Sequence, residues 1–165
     1  MSSTAFLRHL PNLISVVRII LVGPVVWALL NDRYTLALWL FVIAGASDGL
    51  DGFLAKRFDW SSRLGGILDA LADKLLLIST FLCLWWLGLF PWWLVLAILA
   101  RDLVIVTGGT IYNFRIEQVQ PEPSLVSKLN TFLQIALAAG GVIQLGFGGI
   151  PDWLIQGLIW AVMLT

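Results

Sequence analysis

Four aspartates, Asp48, Asp51, Asp69 and Asp73, fall within 26 residues of one another. The first two are three residues apart and the last two four apart, spacings that place side chains on one face of a helix. Brought together, they make a hard-oxygen ligand set suited to Mg²⁺, Mn²⁺ or Ca²⁺ rather than Zn²⁺. The chain holds one His and one Cys, so no softer donor pair competes. The surroundings make the acids costly. Of 165 residues, 59% are hydrophobic and 12% charged, and mean hydropathy is +0.93. Lipid is the solvent such a composition requires. A charged acid inside a span costs about 2.5–3.5 kcal/mol, and mutual repulsion adds to that. Two divalent cations would cancel four carboxylates, and Mg²⁺ commonly leaves positions open for substrate phosphates. Gly49, Gly52, Gly65 and Gly66 remove side chains nearby, which lets a diphosphate approach the backbone.

The elements that must position these acids are helices. Nothing alternates as a barrel strand would, and backbone groups in hydrocarbon must be satisfied internally. The sequence predicts six spans over Asn12–Leu30, Tyr34–Lys56, Ser62–Leu87, Trp92–Phe114, Ser124–Leu145 and Asp152–Thr165. The breaks at "NDR", "FDWS", "GLFP", "RIEQVQPEP" and "GFGGIP" have turn or loop composition. The expected fold class is an all-α integral membrane protein, a six-transmembrane-helix bundle forming a single domain over residues 1–165. The sixth span is short for a full crossing, which fits a tilted, partly exposed helix or a truncated chain.

Loop charge predicts orientation. Arg8, the group Lys56, Arg57 and Arg63, and the pair Arg115 and Lys128 mark one side, while the other offers Arg33. The positive-inside rule puts both termini and the acids toward the cytoplasm. Trp85, Trp86, Trp92 and Trp93 flank Pro91 on the opposite side, as an interfacial aromatic belt would. Arg18 interrupts the first apolar run and no small-residue cleavage site follows, so it reads as a retained span rather than a signal peptide. No Arg-rich transit peptide precedes it, and the expected location is a bacterial cytoplasmic (inner) membrane. Net charge is zero without a basic run, which gives no footing for nucleic acid.

The acids and glycines resemble the pattern D-x₂-D-G-x₂-A-R-x₈-G-x₃-D-x₃-D of the CDP-alcohol phosphatidyltransferases. Here it reads Asp48, Asp51, Gly52, Ala55, Lys56, Gly65, Asp69 and Asp73, with seven of eight fixed positions matched. The departure is Lys56 in place of an arginine, a point charge where a guanidinium fork would bind phosphate through two bonds. The six predicted spans are also similar to the family's six-helix fold. The resemblance implies transfer from CDP-diacylglycerol to an alcohol with release of CMP. It implies two divalent cations, Mg²⁺ or Mn²⁺, held by Asp48, Asp51, Asp69 and Asp73, with Asp73 also the general base. It implies CDP bound at Gly52, Ala55, Lys56 and Gly65, and a homodimer.

Candidate acceptor or phosphate residues are Arg101, Arg115, Lys128 and Asn130. "ARDLVIV" and "SLVSKLNTFLQ" resemble members that add to glycerol-type acceptors. Glycerol 3-phosphate synthases often carry a second lysine where Asn130 stands, whereas "SKLNT" is similar to the mitochondrial type of cardiolipin synthase. Phosphatidylglycerol is therefore the favoured acceptor and glycerol 3-phosphate the alternative.

Plainer roles exist for single residues. Asp48 and Asp51 could cap a helix or pair with Lys56, and Lys74 could pair with Asp69 or Asp73. Arg18 and Arg101 could bind phosphate, snorkel, or pair with Asp102. His9 reads as a headgroup contact and Cys83 as packing. The loop "RIEQVQPEPSL" is either an acceptor gate or a plain connector. The competing class is an ion-coupled transporter using the same acids. Such proteins show inverted repeats and midplane sites, whereas here no repeat is evident and the acids lie near one face.

Overall fold

The helices of this chain stop where the backbone can leave the α-region cheaply. After Leu30 the chain turns through Asp32, whose φ of 56° is left-handed. Arg33 N–H donates to Ala28 O (2.9 Å) and Asp32 N–H to Leu29 O (3.4 Å), the paired bonds of a Schellman cap. Aspartate is among the few residues that tolerate this conformation. The Tyr34 hydroxyl donates to Asp32 Oδ1 at 2.6 Å, and Arg33 lies 5.5 Å from the Trp27 ring centre. Gly88, at φ 78°, repeats the device: Leu89 N–H donates to Leu84 O and Gly88 N–H to Trp85 O. Further along, Ile150 N–H donates to the Gln144 side-chain oxygen at 3.0 Å before Pro151 opens the last helix.

A computed structural model describes the backbone of residues 10–58, 63–115 and 125–165 and the side chains of residues 13–47, 71–104 and 129–165. Among the described residues there are six helices and no strand: α1 (Leu10–Leu30), α2 (Tyr34–Phe58), α3 (Arg63–Trp86), α4 (Trp92–Arg115), α5 (Leu125–Gly146) and α6 (Asp152–Leu164). The all-α expectation holds, with boundaries close to those the sequence predicts. The stretches Leu13–Leu30 and Leu129–Gly146 are long and apolar enough to cross a bilayer, and Tyr34–Ser47 and Asp152–Leu164 are shorter apolar helices. The exterior is apolar as well, with Trp39, Trp86, Leu103, Val104 and Phe132 all largely exposed. Trp85 and Trp86 meet edge to face beside exposed Trp92 and Trp93, consistent with the aromatic cluster expected around Pro91.

Among the described residues α1 makes the most extensive contacts, along both α2 and α3, while α2 and α3 touch each other lightly. Its buried stripe is Ser15, Arg18, Val25, Ala28 and Leu29, recurring at helical spacing. Ala28, Ala37 and Ala44 are fully buried. Small side chains of this kind let membrane helices approach closely. α5 completes the core through Leu137, Ala138 and Val142, against α2, α3 and α6. A Cβ on Gly141 would stand 2.9 Å from Leu84 Cδ1 and 3.0 Å from Phe90 Cζ, and one on Gly146 would stand 2.8 Å from Tyr34 Cβ. The two capped turns and the end of α5 therefore share one end of the bundle. Cys83 is buried in the core, as packing requires.

Candidate active site

α2 runs unbroken through Asp48 and Asp51, and α3 through Asp69 and Asp73. Each pair therefore keeps the helical spacing that puts its members on one face. Asp73 is half-buried. The side chains of Asp48, Asp51, Gly52, Ala55, Lys56, Gly65, Asp69, Arg115 and Lys128 lie outside the described residues, as do Arg8, His9 and the loop before α5.

Depth follows from helix rise. Asp73 lies about 15 Å along α3, and Arg18 about 12 Å along α1, at 1.5 Å per residue. Both helices start at the end away from the capped turns and pack together. Arg18 is thus at comparable depth to Asp73. Its exposure is 1%, so it does not snorkel along the exterior.

Beside Asp73 the structure shows a buried polar network that joins four helices. Lys74 Nζ on α3 stands 2.6 Å from Asp102 Oδ2 on α4. Arg101 Nη1 stands 3.3 Å from Asp102 Oδ1. So Lys74 is paired across to α4, and Arg101 adopts the Asp102 pairing that was one of its readings. Lys74 and Arg101 keep 27% and 24% of their side-chain surface, whereas Asp102 keeps 6%. One carboxylate thus holds two cations that still face outward in part. Burying an ion without such partners costs several kcal/mol, so the pairing explains how Asp102 is tolerated there.

Asn130 on α5 also meets the Arg101 guanidinium. Its amide is satisfied in one orientation. Oδ1 then accepts from Arg101 Nη1 (2.6 Å), Arg101 Nη2 (3.2 Å) and Gln134 Nε2 (3.0 Å), while Nδ2 donates to Thr165 Oγ1 at 2.8 Å. In the reverse orientation the NH₂ group would face three donor nitrogens. The Thr165 hydroxyl donates back to Ala161 O at 3.1 Å, which frees its lone pair for Asn130. Asn130 and Gln134 have no exposed surface. The sequence singled out Arg101 and Asn130, and the structure brings them together. Thr165 carried no sequence signal, because it is 35 residues from its partner and follows an ordinary apolar helix.

A cleft of about 450 Å³ lies at the far end of the bundle, among Pro91, Trp93, Gln144, Asp152 and Gln156. It is remote from Asp73 and contributes nothing to this site.

A family model for CDP-alcohol phosphatidyltransferases matches residues 8–165. The chain belongs to the CDP-alcohol phosphatidyltransferase family. Relatives within it carry two kinds of name. The chain is 34% identical over 159 residues to the rice chloroplast CDP-diacylglycerol–glycerol-3-phosphate 3-phosphatidyltransferase 1, covering 85% of this chain and 48% of the relative. It is 30% identical over 167 residues to rat cardiolipin synthase (CMP-forming), covering 92% and 55%. It is 34% identical over 142 residues to the CDP-diacylglycerol–glycerol-3-phosphate 3-phosphatidyltransferase of Aquifex aeolicus, covering 82% and 77%. The chain spans about half the length of the rice and rat proteins.

Proposed function

We propose that this CDP-alcohol phosphatidyltransferase moves the phosphatidyl group of CDP-diacylglycerol to a glycerol-type alcohol and releases CMP. The match of the family model to nearly the whole chain carries this reading. The acid spacing preserved on two unbroken helices supports it. The family match also favours a transferase over an ion-coupled transporter.

Asp48, Asp51, Asp69 and Asp73 are the residues that would hold two Mg²⁺ or Mn²⁺ ions. Their donor set fits: all are hard oxygens, carried in two pairs at helical spacing on helices that touch. Bound there, such ions supply neutralisation of the diphosphate and of the charge that develops as CMP departs. The remaining steps belong to the chain. Asp73 accepts the proton of the acceptor hydroxyl. That oxygen bonds to the phosphorus bearing diacylglycerol, the bond from this phosphorus to the bridging oxygen breaks, and CMP leaves with the electron pair. Gly52, Ala55 and Gly65 leave room for cytidine diphosphate, and Lys56 binds its phosphate as a point charge. Arg101, Arg115 and Lys128 receive the acceptor's phosphate, with Asn130 behind Arg101.

Phosphatidylglycerol is the acceptor we favour, making the product cardiolipin. Its diester carries one negative charge and calls for fewer cations than the phosphomonoester dianion of glycerol 3-phosphate. The rice and Aquifex relatives support glycerol 3-phosphate as the second reading. We place the protein as one domain and a homodimer in a bacterial inner membrane, with six spans and both termini cytoplasmic. Mass spectrometry of the lipid made from CDP-diacylglycerol with each acceptor separates the readings. Cardiolipin supports the first and phosphatidylglycerophosphate the second. Neither lipid, with CMP still released, would indicate hydrolysis or another alcohol.

A further inference from the structure

We infer that Thr165 and Asn130 are positioning residues for Arg101, so that the last helix fixes the guanidinium that meets the acceptor. This rests on the proposed reaction, in which Arg101 faces the acceptor's phosphate.

The geometry separates what can touch a ligand from what cannot. Arg101 is partly exposed, and Asn130 is fully buried behind it. Asn130 Oδ1 takes both terminal nitrogens of the guanidinium, at 2.6 and 3.2 Å, leaving its amide no reach toward an incoming ligand. A free arginine samples many rotamers, and each must be surrendered when it binds. Here Asn130 Oδ1 takes both terminal nitrogens of the fork, and Asp102 Oδ1 shares Nη1 at 3.3 Å. Asn130 is held in turn. A primary amide can rotate end for end, and its identity at each end is set by its partners. Gln134 Nε2 at 3.0 Å and Thr165 Oγ1 at 2.8 Å together fix oxygen toward Arg101. The Thr165 hydroxyl has one proton, and Ala161 O at 3.1 Å takes it, so toward Asn130 the hydroxyl acts as an acceptor. Without that acceptor the buried NH₂ end of Asn130 has no partner, and the amide is held only by the donors on its oxygen side, so its grip on the guanidinium loosens. α6 contributes no charged group to this network, yet it sets the orientation of one.

The test is steady-state kinetics of the full chain in mixed micelles, with phosphatidylglycerol and glycerol 3-phosphate as separate acceptors. The variants are Thr165→Val, Thr165→Ser, Asn130→Ala, Arg101→Met and the Asn130→Ala/Arg101→Met double. We expect Asn130→Ala to raise the acceptor KM about tenfold or more, the size of a lost bond to a charged group. Thr165→Val should raise it severalfold and Thr165→Ser should restore it, with KM for CDP-diacylglycerol unchanged in all three. The double variant should be no worse than Arg101→Met alone. Multiplying effects would mean that Asn130 contacts the acceptor directly, and an unchanged KM in Thr165→Val would remove Thr165 from the mechanism. A parallel fall in kcat and folded fraction with both KM values fixed would leave a structural role only, and overturn the inference.

Nuclear magnetic resonance of ¹⁵N-arginine protein, with Arg101 assigned through Arg101→Lys, gives a readout that needs no turnover. Restrained guanidinium rotation in the native chain and in Thr165→Ser, lost in Thr165→Val, supports positioning even if neither acceptor yields CMP, in which case the reaction reading alone falls. Equal mobility in all three refutes positioning whatever the activity.

Discussion

Lys74 and Asp102 form an ion pair 2.6 Å long between α3 and α4, one residue beyond Asp73. The pair ties the helix that carries two of the acids to the helix that carries Arg101. Removing one partner from such a pair leaves a charge without compensation, at about 3–5 kcal/mol when fully buried. Asp102→Asn should therefore lower the unfolding midpoint in detergent by several degrees and reduce transfer. Asp102→Leu combined with Lys74→Met should recover part of the stability but not the activity. Equal stability of Asp102→Asn and the native chain would show that the pair is incidental.

Asp73 and Asp69 lie one turn apart on α3. Asp73→Asn and Asp69→Asn should each cut CMP release by about a hundredfold or more, the scale of a lost general base or metal ligand. Chromatographic behaviour and helix content should stay native. Near-normal turnover in either variant would remove that residue from the site.

Lys56 stands where the family pattern has arginine. Lys56→Arg should keep or raise turnover, because a guanidinium can bind the same phosphate through two bonds. A large loss in this variant, measured as CMP release, would show that the lysine is specifically needed.

Gly146 closes the bundle against Tyr34. The clash of a new Cβ would fall on Tyr34 Cβ, an atom fixed to the backbone, so the neighbour cannot swing aside. Gly146→Ala should destabilise by about 1–3 kcal/mol, the usual cost of overpacking. Gly157→Ala, whose Cβ would meet nothing within 4 Å, should be neutral or mildly stabilising. Thermal unfolding of the two variants side by side checks both, and equal midpoints would contradict the packing described for α5.

The helices were legible because their ends are chemically marked. Asn31-Asp32-Arg33, Gly88 before Pro91, and Gly148-Gly149 before Pro151 each offer a left-handed or proline-bounded turn. The third span was expected to reach Leu87, yet α3 ends at Trp86, because the cap that uses Gly88 takes its bonds from Leu84 and Trp85. Partner choice was much less legible. Helices apolar on every side give no sharp stripe to say which neighbour each face meets. The position of α1 along both α2 and α3 is invisible to spacing. The same holds for the Lys74 pairing. Its own helix offers Asp73 and Asp69, while Asp102 becomes a partner only once α4 is in place. Arg101 stands out as a charged residue inside an apolar run and Asn130 through the family resemblance of "SLVSKLNTFLQ", and both belong to the network. Their direct contact, and the reach of Thr165 into it, depend on how α4, α5 and α6 converge.

The most direct test of the central claim is acceptor-dependent CMP release under control of divalent cations. Purified protein with CDP-diacylglycerol and phosphatidylglycerol or glycerol 3-phosphate should release CMP with Mg²⁺ or Mn²⁺. It should stop with a chelator and resume on adding the ion back, and Asp69→Asn and Asp73→Asn should stay silent throughout. CMP release that ignores the chelator, or that persists in both variants, would contradict the account.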